Sequence, residues 1–161
     1  MTTKKELTAK IAELQAQVDA MPDEPSGYWK PEYKGRYWYL DAEGDTSSDI
    51  WTDDGWDAFR LSQGNVFIIE EGAEHHKKKL DVIGKIRLAA MEDIAENGEL
   101  DWGKRSPLKY KLHYHTRDKQ WIVNLSRYLK NPTTIYFKTK AAAEKCLADL
   151  GDELDILIGE G

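Results

Sequence analysis

The sequence predicts an α+β fold of two similar units, each with three antiparallel strands followed by a helix, behind an N-terminal amphipathic helix. Short aromatic and β-branched runs separated by turn residues occur in two groups, and a helical period follows each group. The chain also resembles itself at an offset of 70 residues, with six identities where average composition gives about two by chance. The repeated residues are Trp51, Phe67, Ala73, Glu74, Leu80 and Ile86, which recur as Trp121, Phe137, Ala143, Glu144, Leu150 and Ile156.

The composition is that of a folded, water-soluble domain. The 161 residues are 40% apolar and 32% charged, with a net charge of −6. No apolar run approaches the roughly 20 residues of a membrane span, and the first residues lack the apolar stretch of a secretion signal. A single cysteine, Cys146, lies beside apolar residues in a helical stretch, which favours a buried thiol in a reducing compartment. We therefore expect a cytoplasmic protein without membrane contact.

Residues 1–21 form the first predicted segment, an amphipathic helix over 4–21. Its apolar residues have the 4-3-4-3 spacing of a coiled coil, and Pro22 ends it. The helix either docks on its own domain or forms a stalk that makes the protein a homo-oligomer. The residues predicted to mediate oligomerisation are Leu7, Ile11, Leu14 and Val18.

The first unit is predicted over 22–96. A strand over 37–40 leads into a turn in which Gly44 adopts a positive φ. A second strand is expected at 50–52, a helical turn at 56–61 and a third strand at 66–69. From about residue 70 an apolar stripe at helical spacing continues to about residue 96, where Asn97 and Gly98 signal the end of a helix.

The second unit is predicted over 108–161, after a linker at 97–107. Its strands are expected at 108–115, 121–125 and 134–138. Thr139 is the predicted N-cap of a helix that begins at residue 140, and Gly151 ends or kinks that helix. Each unit would cover one face of its sheet with a helix and leave the other face free.

A basic outer face is predicted for the second unit. Residues 104–140 carry ten Lys or Arg and one acid, Asp118, whereas 41–57 carry seven acids and no base. Alternation along the strand at 108–115 places its cations on the side away from the helix. The candidate binding residues on this face are Lys109, Lys111, His113, His115 and Lys138. They either contact a phosphate-bearing partner or keep the strand soluble.

An aromatic cluster in the first unit forms the second candidate binding surface. Arg60 follows Trp56 by four positions, so the two side chains could stack on a helix. The candidate residues are Trp29, Arg36, Tyr37, Trp38, Tyr39, Trp56 and Arg60.

No catalytic signature is present. The chain has no Gly-rich phosphate loop, no Ser nucleophile motif and no His-Glu-x-x-His. His113 and His115 are two residues apart but lack a further ligand, and the acids at 41–45 resemble a turn more than a calcium loop. We therefore expect no enzyme, no metal site and no cofactor.

Several motifs resemble a group of small proteins encoded by phages and prophages. They are Gly35-x-Tyr-Trp-Tyr-Leu40, Trp51-x-x-Asp54, Asp57-x-x-Arg60, Gly64-Asn-Val-Phe67, Glu71-x-Ala-Glu74 and Tyr136-Phe-Lys-Thr139. The sequence departs from the group at Ile68 and Ile69, which replace Lys-Thr before the helix. The resemblance implies a phage protein that acts in the bacterial cytoplasm and sequesters a component of host defence, either a protein or a nucleotide messenger.

A looser resemblance concerns the sheet-plus-helix DNA-binding domains of the AP2 and integrase arm-type kind, through Phe137-Lys-Thr-Lys-Ala-Ala-Ala143. It implies the alternative function, a nucleic-acid-binding module that uses the basic face of the second unit. The two functions differ in salt dependence, because binding through phosphates weakens steeply as salt rises.

Overall fold

The computed structural model describes residues 10–11, 29–103, 108–126 and 130–159. It combines helices with two small antiparallel sheets of two strands each. In chain order the elements are β1 (Arg36–Leu40), β2 (Thr46–Ile50), α1 (Gly55–Ser62), α2 (Glu70–Asn97), β3 (Lys109–His115), β4 (Gln120–Ser126), α3 (Lys140–Leu150) and a 3₁₀ helix (Gly151–Leu157). Lys10 and Ile11 are helical, whereas Leu7, Leu14 and Val18 lie outside the described residues.

The first hairpin is tighter than the sequence predicts. β1 pairs with β2 from Arg36↔Ile50 to Leu40↔Thr46. In the turn, Gly44 has a φ of +82°, and the Asp41 carboxylate accepts the backbone N–H of Asp45 at 2.9 Å. Because this side chain closes the turn locally, β2 begins at Thr46, and the strand predicted at 50–52 is wrong.

The third strand predicted for each unit is a single bridge. The backbone N–H and C=O of Phe67 both bond to Trp38, and those of Phe137 both bond to Tyr110. A helix begins three residues after each Phe, and its extended N-cap residue, Ile69 or Thr139, leaves no length for further pairing. Each predicted three-stranded sheet is therefore a two-stranded hairpin with one bridge.

The 28-residue helix α2 contacts both β1 and β2 as well as α3 and the 3₁₀ helix. Ile69 gives it no side-chain cap, whereas Thr139 Oγ1 accepts the N–H of Ala142 at the start of α3. Gly151, with a φ of +47°, ends α3. The main core consists of Val82, Ile86, Ala90, Phe137, Ala143, Cys146, Leu150 and Leu154. Burial raises the pKa of the Cys146 thiol, as expected for a structural cysteine.

The internal repeat is only partly a structural repeat. Phe67 and Phe137 are equivalent, since each forms the bridge before its helix. The two tryptophans are not equivalent. Trp51 follows β2 and bonds to Gly35 ahead of β1, whereas Trp121 lies in β4 and pairs with Tyr114 near the hairpin turn. The expected correspondence of the tryptophans is therefore wrong, because they lie at opposite ends of their hairpins.

Within the part of the chain that the structure describes, no helix is both long enough and apolar enough to cross a lipid bilayer.

Candidate functional site

A hydrogen-bonded network joins the first hairpin to α1. Tyr37 is fully buried, and its hydroxyl donates to Asp57 Oδ1 at 2.7 Å. Arg60 Nη1 donates both to the Tyr37 hydroxyl and to Asp49 Oδ2, the latter at 2.9 Å. The network thus connects β1, β2 and α1, and it fixes the helix against the sheet through polar contacts.

Asp57 is the centre of this network although it is almost fully buried. Its second oxygen, Oδ2, accepts the backbone N–H of Thr52 at 2.6 Å. Asp54 and Asp57 form a capping box in which each side chain bonds to the other's backbone N–H. A buried carboxylate is stable only when its oxygens are hydrogen-bonded, and Asp57 meets this condition from both sides.

The network shifts the pKa values of its members in opposite directions. Burial and the hydrogen bond to Asp57 raise the pKa of Tyr37 to about 12. Burial alone would raise the pKa of Asp57, but the hydrogen bonds from Tyr37, Thr52 and Asp54 outweigh it and hold that pKa below its ordinary value. Asp57 is therefore ionised and Tyr37 neutral at physiological pH, so the phenol remains a donor.

Arg60 stacks on Tyr39, with its guanidinium carbon 3.6 Å from the ring centroid. The prediction that Arg60 stacks on Trp56 is therefore wrong, because the guanidinium turns inward to reach Tyr37 and Asp49. Burial alone would lower the pKa of Arg60, but the hydrogen bonds to Asp49 and Tyr37 together outweigh it, so the pKa is raised and the guanidinium stays charged. Arg60 anchors α1 and offers little surface to a ligand.

Trp51 and Lys30 form a second set of contacts in the first unit, next to Tyr37. The Trp51 ring is buried and lies edge-on to Tyr37, with 5.6 Å between their centroids. Its Nε1 donates to Asp53 at 2.9 Å. Lys30 forms an ion pair with Asp53 at 2.6 Å and lies over the Trp51 ring. These contacts tie the segment before β1 to the segment after β2.

The exposed side of α1 presents two aromatic rings to solvent. Trp56 is 69% exposed and Phe59 is 52% exposed. The rings lie edge to face with centroids 6.3 Å apart. Together with Asp54 and Gly55 they line a shallow depression. We call these four residues the α1 aromatic patch. Large rings that stay exposed on a braced helix are typical of a surface that binds another protein.

The other predicted residues of the aromatic cluster serve the fold or lie outside this patch. Tyr37 is buried and cannot contact a partner, which corrects its prediction as a binding residue. Trp29, Trp38 and Tyr39 are half-buried, and Arg36 is exposed at the start of β1. Phe59 is absent from the predicted cluster. Its position could have been inferred from the sequence, because residues three apart on a helix, such as Trp56 and Phe59, lie on the same side.

The predicted basic face of the second unit is largely covered. As expected, Tyr110, Leu112, Trp121 and Val123 pack against the core. Lys109 lies on the opposite face but is only 1% exposed, with its Nζ 5.2 Å from the centre of the Trp102 ring. Lys138 Nζ donates to the Glu99 carbonyl at 2.7 Å. The segment predicted as a linker therefore folds over this face, and the expectation that Lys109 is solvent-exposed is wrong.

The remaining cations of that face are dispersed. His113 is exposed and Lys111 half-buried. His115 Nδ1 lies 3.0 Å from Asp118 Oδ2. Among the described residues, no group of three or more His, Cys, Asp or Glu side chains could hold a metal ion. Within the described part of the chain, two of the five predicted residues, Lys111 and His113, lack such a contact, and two groups are too few to track a nucleic-acid backbone.

A second buried carboxylate, Asp93, is not among the residues that the sequence singles out. Its Oδ2 accepts the backbone N–H groups of Lys138 and Thr139 at 2.6 and 2.9 Å. Its Oδ1 accepts from Thr139 Oγ1 at 2.8 Å and from Asn97. Asp93 therefore joins the end of α2 to the start of α3. Its burial could have been inferred from the sequence, because Asp93 continues the helical spacing of Val82, Ile86 and Ala90 on the buried side of α2.

No protein-family model, no curated protein and no solved structure shows significant similarity to this chain.

Proposed function

We propose that this chain is a non-enzymatic binding protein that sequesters a bacterial host-defence protein through the α1 aromatic patch. The observation that supports the proposal is the exposure of Trp56 and Phe59 on a helix that is fixed to the first hairpin by the contacts of Asp57 and Arg60 with Tyr37. Rigid aromatic anchors lose little conformational entropy on binding, so their burial yields a large share of an interface's affinity. The phage origin and the defence target rest on the resemblance given above.

The charge around the patch selects for a basic partner surface. Residues 41–57 carry seven carboxylates. Three of them form ion pairs, Asp45 with Lys77, Asp49 with Arg60 and Asp53 with Lys30. The stretch keeps a net negative charge, and Asp54 lies in the patch itself. The Asp54 carboxylate beside the rings repels the phosphates of a nucleotide messenger and attracts Lys and Arg on a protein. We therefore favour a protein target over a nucleotide.

The nucleic-acid alternative is less well supported. It needs a continuous basic face, and the burial of Lys109 beneath Trp102 together with the Lys138–Glu99 contact removes two of the expected cations. A filter-binding titration at low and moderate salt tests it directly. Steeply salt-dependent binding that Lys111→Glu weakens would support this alternative against the proposal.

The proposal is tested by affinity capture from a bacterial host lysate with the wild-type chain and with the Trp56→Ala/Phe59→Ala double variant. Leu125→Ala is the matched control, because Leu125 is also an exposed apolar residue but lies on β4. We expect a defined host protein with the wild-type chain and the control, its absence with the double variant, and retention at moderate salt. Equal capture by all three chains would contradict the proposal.

A second variant tests the patch without removing an aromatic ring. A side chain at Gly55 would project into open space, since no atom lies within 4 Å of the position that a Cβ would take there. Gly55→Arg should therefore fold normally, block the depression and repel a basic partner. We expect binding of the purified host protein to weaken at least about 30-fold, which corresponds to roughly 2 kcal/mol. Binding at wild-type affinity would exclude the depression as the contact surface.

A further inference from the structure

Helix α2 has a second apolar side opposite the core. Its buried side carries Val82, Ile86 and Ala90. On the other side Leu80, Leu88 and Met91 are exposed, the last two by 58% and 66%. At 100° per residue these three lie within about 80° of arc. We call this set, with the small exposed residues Gly84 and Ala95 on the same line, the α2 stripe.

The α2 stripe is uncovered by the described residues and is shaped to receive a helix. From residue 80 to residue 95 it is about 22 Å long at 1.5 Å per residue. A side chain at Gly84 would meet no atom within 4 Å, so a neighbouring helix can approach closely there. Exposed Leu and Met in a row on one helix are typical of an interface.

The N-terminal segment has a matching stripe. Its apolar residues run from Leu7 to Met21, about 21 Å if helical, at 4-3-4-3 spacing. Ile11 lies within this run, yet it is 66% exposed. An amphipathic helix in a protein gains most of its stability by packing its apolar face, so this segment needs a surface to pack against. The two stripes agree in length, and from Gly84 to Ala95 the α2 stripe has the same 4-3-4 spacing as the N-terminal segment. Each has apolar side chains that a partner helix could cover.

We propose that residues 4–21 of one copy pack along the α2 stripe of a second copy, and that the exchange is reciprocal in a two-fold symmetric dimer. The exposure of Ile11 in the single chain favours a partner in trans over packing on the same chain. Residues 22–28 can extend to about 24 Å at most, and Pro22 and Pro25 disfavour a continuous helix there. The link can therefore hold the segment up to about 24 Å from residue 29, which leaves it free to be exchanged with a second copy.

The test uses two full-length variants with substitutions at exposed or N-terminal positions. The stripe variant is Leu88→Lys/Met91→Lys, and the segment variant is Ile11→Lys/Leu14→Lys. Leu125→Lys is the control, because Leu125 is an exposed apolar residue of β4 and belongs to neither stripe. Circular dichroism and thermal melting establish that each variant keeps its fold. Analytical ultracentrifugation measures the dimer dissociation constant of each chain.

We expect the wild-type chain and the control to be dimers, and each double variant to raise the dissociation constant at least about 100-fold. Mixing the two variants should give a heterodimer that forms more strongly than either variant's homodimer, because the intact segment of one meets the intact stripe of the other and one of the two contacts is regained. Native mass spectrometry identifies this species by its mass.

Any other pattern overturns the proposal. A monomeric wild-type chain means that the stripe is covered in cis or not at all. A stripe variant that remains dimeric indicates pairing between the two N-terminal segments. A segment variant that remains dimeric indicates pairing between two α2 helices. Failure of the mixed variants to associate excludes the reciprocal exchange.

Discussion

The Tyr37 hydroxyl and the Asp57 carboxylate, 20 residues apart in the chain, share a buried 2.7 Å hydrogen bond that joins the first strand to α1. This contact sets the position of the helix that carries Trp56 and Phe59. Because Asp57 also accepts from Thr52, the bond belongs to a network that holds the α1 aromatic patch in place.

Tyr37→Phe should lower the free energy of unfolding by about 1–3 kcal/mol, because it leaves a buried carboxylate oxygen without its phenolic donor. Urea unfolding followed by tryptophan fluorescence measures the change. Tyr33→Phe is the matched control, since Tyr33 is exposed, and it should alter stability by less than about 0.5 kcal/mol. Equal effects of the two variants would show that the Tyr37–Asp57 bond adds nothing.

Tyr37 should ionise late in an alkaline titration. Its pKa is raised to about 12, above the value of about 10 for an unfolded chain. Its contribution to stability is therefore present below pH 10 and is lost as the pH rises towards 12. Difference absorbance at 295 nm between the wild-type chain and Tyr37→Phe isolates this phenol. An apparent pKa near 10 in the folded protein would contradict the burial of the hydroxyl.

The decrease in the free energy of unfolding at acid pH should depend on Asp57. Its pKa is lowered in the folded protein, so its stabilising contribution is present above the unfolded value of about 4 and is lost as the pH falls through the folded pKa. Asp57→Asn should flatten the fall in unfolding free energy below pH 4. Asp54→Asn is the comparison, because Asn also caps helices. If Asp57→Asn leaves the pH dependence of the unfolding free energy below pH 4 unchanged, Asp57 is not ionised in the folded protein.

Asp93→Ala should destabilise the protein by about 3 kcal/mol or more, because it removes a carboxylate that accepts two backbone N–H groups and the Thr139 hydroxyl. Glu92→Ala is the matched control at the adjacent, exposed position of α2. Thermal melting compares the two. A loss of similar size in both variants would show that the junction of α2 with α3 does not depend on Asp93.

Lys109→Glu should unfold or severely destabilise the chain, since a buried carboxylate would face the negative π-surface of Trp102. The expected loss is at least about 3 kcal/mol. Arg117→Glu, in the exposed turn between β3 and β4, makes the same charge change at the surface and should be tolerated. If Lys109→Glu melts like Arg117→Glu, Lys109 is a surface residue as the sequence predicts.

Local signals in the sequence predict the local elements well. The helical period from residue 70 to about 96 corresponds to α2 at Glu70–Asn97, and the Thr139 cap and the Gly151 stop lie where expected. The bounds of β3 agree with alternation along 108–115. Such elements are encoded by periodicity and capping within a few residues, so a single sequence contains enough information to place them.

Contacts between distant segments are not predictable in the same way. Alternation puts Lys109 on the outer face correctly, but nothing local shows that Trp102 covers it. The apolar run at 66–69 resembles a strand, yet one bridge at Phe67 is all that forms, because pairing depends on where the next helix begins. The sequence identifies the candidate site in part. Trp56 is recognisable from its residue type, whereas the exposure of Phe59 depends on which side of α1 meets the hairpin.

The most direct test of the central claim is a calorimetric titration of the captured host protein with the wild-type chain, the Trp56→Ala/Phe59→Ala variant and Lys111→Glu. The α1 aromatic patch predicts that the double variant binds at least about 100-fold more weakly, while Lys111→Glu on the second hairpin binds like the wild-type chain. Wild-type affinity in the double variant, or a loss confined to Lys111→Glu, would contradict the account.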